Sequence, residues 1–285
     1  MENYRLEGKT FVIDDYDRLP AFSSFLPGLA GVKGIPMWTF YTNRGQGMNS
    51  FGIDNKGNAI MEFNSANTAF ENTTVKGFRT FLTIDGEYYE PFFKYEDDAK
   101  RQIRMNKNSF KVIERNEKYG IEITVNYYVL PNESIGALVR QVSIKNISGQ
   151  KKNIEIIDGL PKIITYGISN GEFKEMSNLF KSWAYIKNID NKVPYYTLRA
   201  STKDSAEVSD VEGGYYYLTV KDGKLQDVIY DVDTVFGYDL SLMTPVRFID
   251  GGIDNVLGKE QCFANKVPCG FTPFKTCLLY TSDAA

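Results

Sequence analysis

The sequence has no histidine among its 285 residues. Histidine is the side chain that most often serves as a general base near neutral pH, and it is the commonest zinc ligand besides cysteine. Its absence excludes serine-histidine-aspartate triads, histidine general bases and histidine-ligated zinc sites.

Cysteine and long apolar runs are also scarce. The three cysteines, Cys262, Cys269 and Cys277, lie near the carboxyl end without the CxxC spacing of metal sites, so we expect reduced thiols rather than a disulfide framework. The amino terminus lacks the apolar core of a signal peptide, and no stretch approaches the length of a membrane span. We therefore expect a cytoplasmic protein with no membrane partner.

No cluster of positive charge is present. The formal net charge is −3 and the lysines and arginines are scattered, so we expect no nucleic-acid partner. A GxxxxGK phosphate loop is absent. Asp14, Asp15 and Asp17 are close together, but they lack the twelve-residue pattern of a calcium loop, which favours a solvated turn and no metal.

Aromatic residues are abundant: 19 tyrosines and 19 phenylalanines stand against 2 tryptophans. Aromatic side chains favour strands over helices. They are also common where sugars stack, although filling a sandwich core explains most of them. This composition predicts a folded all-β protein.

Short apolar or alternating segments predict strands separated by turns rich in glycine, asparagine and aspartate. The predicted strands are 10–13, 37–42, 48–53, 59–63, 77–84, 121–130, 137–147, 153–158, 195–201 and 215–221. Loops are predicted at Pro27-Gly28, 31–36 and 64–67, and one short helix at Ser177–Asn188. The pattern indicates an antiparallel meander with one buried face.

We expect one domain over residues 1–276. Residues 277–285 match the translation of a sequencing-library adapter and are treated as an artefact, which implies a gene continuing beyond Thr276.

The stretch from Leu19 to Leu82 contains the most unusual combination of glycines, aromatic residues and hydrogen-bond donors in the sequence. Its candidates for substrate or interface contacts are Asn43, Arg44, Gln46 and Arg79. Each arginine lies in an apolar or glycine-rich context, where a guanidinium needs a planar acceptor such as a carboxylate, a phosphate or paired sugar hydroxyls. The alternative is a buried ion pair, for instance with Glu62, that holds two sheets in register.

A glycoside hydrolase needs two facing carboxylates. The candidates by composition are Glu62, Glu71, Glu87, Glu90 and the Asp97-Asp98 pair. Most carboxylates on β domains are solvated, so we expect no catalytic residue within this chain.

Several ordered motifs carry a family resemblance. They are Phe22-Ser-Ser-Phe-Leu-Pro-Gly-Leu-Ala-Gly31, Asn43-Arg-Gly-Gln46, Glu62-Phe-Asn-Ser-Ala-Asn67 and Gly77-Phe-Arg-Thr-Phe81, with weaker continuation through 142–147 and 154–160. Together they resemble the amino-terminal region of inverting glycoside phosphorylases of the cellobiose-phosphorylase type (glycoside hydrolase family 94), most closely the 1,2-β-oligoglucan phosphorylases.

The resemblance implies a galactose-mutarotase-like β-supersandwich, followed by an (α/α) barrel that this chain lacks. In that family an aspartic acid on the barrel protonates the glycosidic oxygen while inorganic phosphate attacks the anomeric carbon, so phosphate is a co-substrate and no other cofactor is implied. The implied partners are a β-glucan oligosaccharide, phosphate and a second copy of the chain, and the fragment itself is expected to be inactive.

Three other interpretations remain open. One is a stand-alone carbohydrate-binding sandwich without catalytic activity. An aldose epimerase is disfavoured because it usually depends on a catalytic histidine. The phosphorylase-like part of a cyclic β-1,2-glucan synthase is disfavoured because those are long membrane proteins.

Overall fold

The computed structural model describes residues 3–94, 98–202, 206–207, 209–257, 261, 266–278 and 283–284. In chain order its strands are β1 Tyr4–Glu7, β2 Thr10–Asp14, β3 Ser23–Ala30, β4 Ile35–Thr42, β5 Met48–Ile53, β6 Ala59–Met61, β7 Arg79–Ile84, β8 Glu87–Tyr89, β9 Ala99–Met105, β10 Ser109–Asn116, β11 Ile121–Val129, β12 Leu138–Asn146, β13 Lys152–Leu160, β14 Ala184–Lys187, β15 Tyr195–Leu198, β16 Tyr215–Tyr216, β17 Val220–Lys221, β18 Lys224–Leu225, β19 Gly270–Leu278 and β20 Asp283–Ala284. The α-helices are α1 Ala66–Lys76, α2 Asn170–Glu175, α3 Ser177–Trp183, α4 Asp233–Phe236 and α5 Val246–Gly251, and short 3-10 turns occur at Tyr16–Arg18, Ile189–Asn191 and Ile253–Asn255.

The largest sheet has the strand order β1-β2-β9-β10-β11-β12-β20, with antiparallel neighbours throughout. Along β11, buried Ile121, Ile123, Val125 and Tyr127 alternate with half-buried polar residues. Because successive strand side chains point to opposite faces, this alternation directs one face of the sheet into the core.

A second sheet, ordered β19-β13-β7-β8, lies on the other side of that core. It is buried on both faces, as the neighbouring residues Phe81 and Leu82 show, since both are fully buried. Leu82 belongs to the cluster shared with the large sheet, whereas Phe81 packs with Phe236 and Phe271 beneath α4 and α5. The fold is thus an antiparallel all-β sandwich, as predicted.

The predicted loop at Pro27-Gly28 is wrong, because both residues lie in β3, and the predicted loop 31–36 ends where β4 begins at Ile35. In the sheet β3-β4-β5-β6, β3 is an edge strand, and an edge tolerates a proline that cannot donate to the ladder. A Cβ at Gly28 would lie 2.6 Å from Val129 Cγ2, so this glycine permits the close approach of β3 to β11.

The predicted loop at 64–67 gives way to α1, the longest helix among the described residues. Its sequence is rich in threonine and asparagine, which are weak helix formers, and Ser65 makes no side-chain capping bond. Burial of Ala69 and Thr73, with α1 packed beside β5, stabilises this helix. Tertiary packing therefore overrides the local preference.

The predicted helix at Ser177–Asn188 is correct only as far as Trp183. The chain then forms β14, where buried Ala184 and Ile186 alternate with exposed residues and pair with β15. The apolar residues whose spacing predicted one helix therefore belong to two elements: Leu179 and Trp183 to α3, and Ile186 to β14.

Candidate functional site

Asn43 lies in the connection between β4 and β5 and is fully buried. Its amide nitrogen donates to the backbone carbonyls of Tyr16 (2.9 Å) and Pro20 (3.0 Å), and its amide oxygen accepts from the backbone N–H of Phe22 at 2.9 Å. The side chain thus ties the segment before β3 to the β4–β5 connection.

Arg44, the next residue, also binds the segment before β3 to the β4–β5 connection. Its guanidinium donates to the carbonyl oxygens of Leu19 (3.0 Å) and Asn43 (2.7 Å), and lies 4.3 Å from the ring centroid of Phe70 on α1. Burial lowers the pKa of Arg44, and nearby Asp17 opposes that effect. No ion pair joins Arg44 to Glu62 within the part of the chain that the structure describes.

Gln46 belongs to a different, buried network. Its amide oxygen accepts from Arg140 and its amide nitrogen donates to Thr80 Oγ1 at 3.1 Å. Arg140 also pairs with Asp158 at 2.5 Å and lies beside the ring of Phe78. The network joins the β4–β5 connection to β12, β7 and β13, and each of the buried side chains in the network has a hydrogen-bond partner.

Arg79 is 1% exposed and forms a third, separate cluster. It is paired with Glu90, donates to the carbonyl oxygens of Leu242 and Met243, and lies over the ring of Phe81. The structure therefore brings Asn43 and Arg44 together and places Gln46 and Arg79 elsewhere, each among internal partners.

An open cleft of about 270 Å³ lies beside Arg44, between α1 and the ends of β3 and β4. It is lined by Ala21, Phe22, Ser23, Thr42, Ala66, Asn67, Phe70 and Glu71. The aromatic rings of Phe22 and Phe70 therefore lie in the same cleft as hydroxyl, amide and carboxylate groups. The guanidinium of Arg44 packs on the ring of Phe70.

A further exposed aromatic ring lies on β3, outside the lining of this cleft. Phe25 is 56% exposed and lies two positions after Ser23 of the cleft, on the same side of β3. Its ring lies 4.7 Å from that of Phe40. Phe25 therefore adds an exposed ring on the edge strand β3, outside the lining of the cleft.

None of the four sequence-predicted site residues, Asn43, Arg44, Gln46 and Arg79, lines this cleft. Phe22 and Asn67 lie in the quoted motifs and Glu71 was a candidate carboxylate, but Phe70 gave no signal. Its role depends on α1, because the helix places Phe70 opposite the β3 segment.

The candidate carboxylates are dispersed. Glu90 pairs with Arg79, Glu87 accepts from Lys118 and Tyr119, and Glu71 and Glu62 line two different pockets. Asp97 lies outside the described residues. Each of these two pockets holds one carboxylate.

The acidic turn around Asp14, Asp15 and Asp17 is not simply solvated, because two of its carboxylates bind side chains of β9. Asp17 pairs with Arg101 at 2.7 Å, and Asp14 accepts from Gln102 at 2.6 Å. No group of three potential metal ligands occurs among the described residues. Cys269 and Cys277 are free thiols, and burial raises the pKa of Cys269, whereas Cys262 lies outside the described residues.

Neither a scan against protein-family models nor a search of curated proteins finds a match to this chain. Within the described part of the chain, no helix combines the length and apolar character needed to cross a membrane.

Proposed function

We propose that this chain binds a β-glucan oligosaccharide in the cleft between α1 and β3, as the amino-terminal domain of a β-glucan phosphorylase. The observation that supports binding is the pairing of Phe22 and Phe70 with Ser23, Asn67 and Glu71 in one open cleft. A pyranose ring presents an apolar C–H face to aromatic rings and hydroxyls to amides and carboxylates.

The dimensions also suit such a ligand. The cleft of about 270 Å³ is close to the lower end of the ~300–1,000 Å³ range of small-molecule sites. Exposed Phe25 offers a further ring beyond it, so a chain of sugars has more contacts than a single glucose. We therefore expect affinity to rise from glucose to a trisaccharide.

The catalytic part of the proposal rests on the sequence resemblance. In the implied reaction inorganic phosphate attacks the anomeric carbon, the bond to the glycosidic oxygen breaks, and an aspartic acid on a helical barrel protonates that oxygen. The products are α-glucose 1-phosphate and a shortened glucan. Since that acid belongs to the barrel, we expect this chain to bind without turnover. A homodimer is part of the same proposal.

The alternative is a stand-alone carbohydrate-binding sandwich. The cleft supports it equally, because neither its aromatic rings nor its polar groups require a catalytic domain. The two proposals differ in linkage preference: a phosphorylase domain of the implied type favours β-1,2-linked glucans, whereas a general binding module has no reason to do so.

Calorimetric titration of the chain with β-1,2- and β-1,4-linked gluco-oligosaccharides tests the proposal. Phe70→Ala is expected to weaken binding about tenfold or more, the loss of roughly one stacking contact. Tyr238→Ala, which removes an 83% exposed aromatic residue outside the cleft, is the matched control and should leave affinity unchanged. Equal affinities for the wild type and Phe70→Ala would contradict the proposed site.

A further inference from the structure

A second, smaller pocket lies on another side of α1. It is lined by Asn49, Met61, Glu62, Asn64, Ala69, Asn72, Thr73, Lys76, Gly77 and Lys162. Residues Ala69, Asn72, Thr73 and Lys76 follow helical spacing along one face of α1, whereas Ala66, Asn67, Phe70 and Glu71 face the larger cleft. The two pockets are thus separate surfaces of one helix.

Asn49 brings to this pocket a hydrogen-bond donor that has no partner among the described residues. The residue is only 6% exposed, and its amide oxygen accepts from Ser50 Oγ at 3.1 Å. Its amide nitrogen has no hydrogen-bond partner among the described residues. Buried amide N–H groups are nearly always paired, so this nitrogen indicates an acceptor supplied from outside the chain.

Two ammonium groups line the same pocket. Lys76 ends α1, and Lys162 follows β13 in a segment where the N–H of Ile164 donates to the carbonyl of Ile60 on β6. No ion pair of Lys76 or Lys162 with a carboxylate occurs in the described ranges. Glu62 is the one carboxylate of the lining, so positive charge predominates.

The environment of Lys162 is unfavourable for its charge. Burial lowers its pKa, Lys76 and Lys181 lower it further, and Glu62 acts in the opposite direction. An anion in the pocket would relieve this repulsion. Lys76 alone has an ordinary explanation, because a lysine in the last turn complements the helix dipole, but that accounts for neither Lys162 nor Asn49.

We propose that this pocket binds a small oxyanion, either free phosphate or the phosphate group of a larger metabolite, through Asn49, Lys76 and Lys162. The enclosed space is about 20 Å³, and a single water-sized atom needs roughly 10–15 Å³. One anion oxygen therefore enters, and the others remain at the open mouth. Charge-assisted hydrogen bonds from lysines are the ordinary means of holding such a group. This site does not depend on the proposed carbohydrate function.

The first test is calorimetric titration of the whole chain with inorganic phosphate, against sodium chloride at matched ionic strength. We expect phosphate to bind, and Lys162→Gln and Lys76→Gln each to weaken binding about tenfold or more. Lys181→Gln, which removes a nearby charge that does not line the pocket, should have a much smaller effect. Methyl phosphate distinguishes the sources: affinity equal to that of phosphate indicates a phosphate ester, and a much weaker one indicates the free ion.

A second readout is independent of affinity. Acylation of lysines at mildly alkaline pH, followed by mass spectrometry, should modify Lys162 readily, and phosphate should protect Lys162 but not Lys181. Phosphate effects no larger than those of chloride, or equal effects of the three lysine substitutions, would overturn the proposal.

Discussion

Arg79 and Glu90 form a two-point ion pair inside the protein: Nε donates to Oε1 at 2.6 Å and Nη2 donates to Oε2 at 2.8 Å. Both side chains are buried. The remaining donors of Arg79 reach the carbonyl oxygens of Leu242 and Met243. The pair thereby joins β7 and the segment after β8 to the loop before α5, and it occupies the guanidinium with internal acceptors.

Glu90→Gln should therefore destabilise the fold strongly. Removing one partner leaves a buried, uncompensated guanidinium, at a cost of about 3–5 kcal/mol in the free energy of unfolding. Urea denaturation measures this loss. Glu71→Gln, at an exposed carboxylate of the cleft, should stay within about 0.5 kcal/mol. Similar stability of the two variants would show that the Arg79 pair contributes little.

Gly47→Ala should be destabilising because the site has neither the space nor the backbone conformation for a side chain. Its φ is +84°, and a Cβ there would lie 2.3 Å from Phe110 Cε1. We expect a loss of about 2–4 kcal/mol from combined overpacking and backbone strain. Gly8→Ala is the matched control, since Gly8 has φ +61° but open space around it. A comparable loss at Gly8 would assign the effect to backbone conformation alone.

Arg44→Met keeps the aliphatic stem and removes the guanidinium. We expect a stability loss of about 1.5–3 kcal/mol from the hydrogen bonds to Leu19 and Asn43. Binding of a β-1,2-gluco-oligosaccharide should also weaken, because Phe70 loses the group that packs on its ring. Chemical denaturation and calorimetry measure the two effects. Unchanged binding together with reduced stability would confine Arg44 to a structural role.

The capping box of α2 should give the protein a measurable dependence on acid pH. Ser169 Oγ accepts from the backbone N–H of Glu172, and the Glu172 carboxylate accepts from the backbone N–H of Ser169. Hydrogen bonds from the Ser169 side chain and backbone lower the pKa of Glu172. The stabilisation is therefore complete above the ordinary glutamate pKa and is lost as the pH falls through the lowered folded-state value.

We expect Ser169→Ala to cost about 1 kcal/mol at neutral pH. The difference in unfolding free energy between the wild type and Glu172→Gln should shrink toward zero as the pH falls through the lowered pKa of Glu172. Glu175→Gln in the same helix is the control. A difference that stays constant with pH would rule out the charged capping interaction.

The strands of the large sheet were predictable because their pattern is local. In β11 and β12 alternation with a period of two residues places one face in the core, and the observed strands begin and end within two residues of the predicted ones. α1 was not predictable in the same way, because its weak helix formers are held by packing beside β5. Proline in β3 was read as a loop for a comparable reason, since only the sheet order shows that β3 is an edge strand.

The candidate site was likewise predictable only in part. The sequence indicated that Arg44 and Arg79 need acceptors and suggested Glu62 as a partner. The structure instead pairs Arg79 with Glu90 and attaches Arg44 to backbone carbonyls around Leu19. Backbone carbonyls carry no residue identity, so no sequence pattern marks them as partners. Asn49 and Lys162 are far apart in the sequence, and they line one pocket only because β6 packs beside the segment after β13.

The sequence by itself determined the all-β class, the absence of histidine chemistry and the position of the β4–β5 connection, because these follow from composition and from neighbours along the chain. Only the tertiary structure decided which arginines are internal, where the aromatic cleft opens and which lysines share a pocket. Those properties depend on contacts between distant segments, and burial then sets whether a charged or aromatic group meets the protein interior or a ligand.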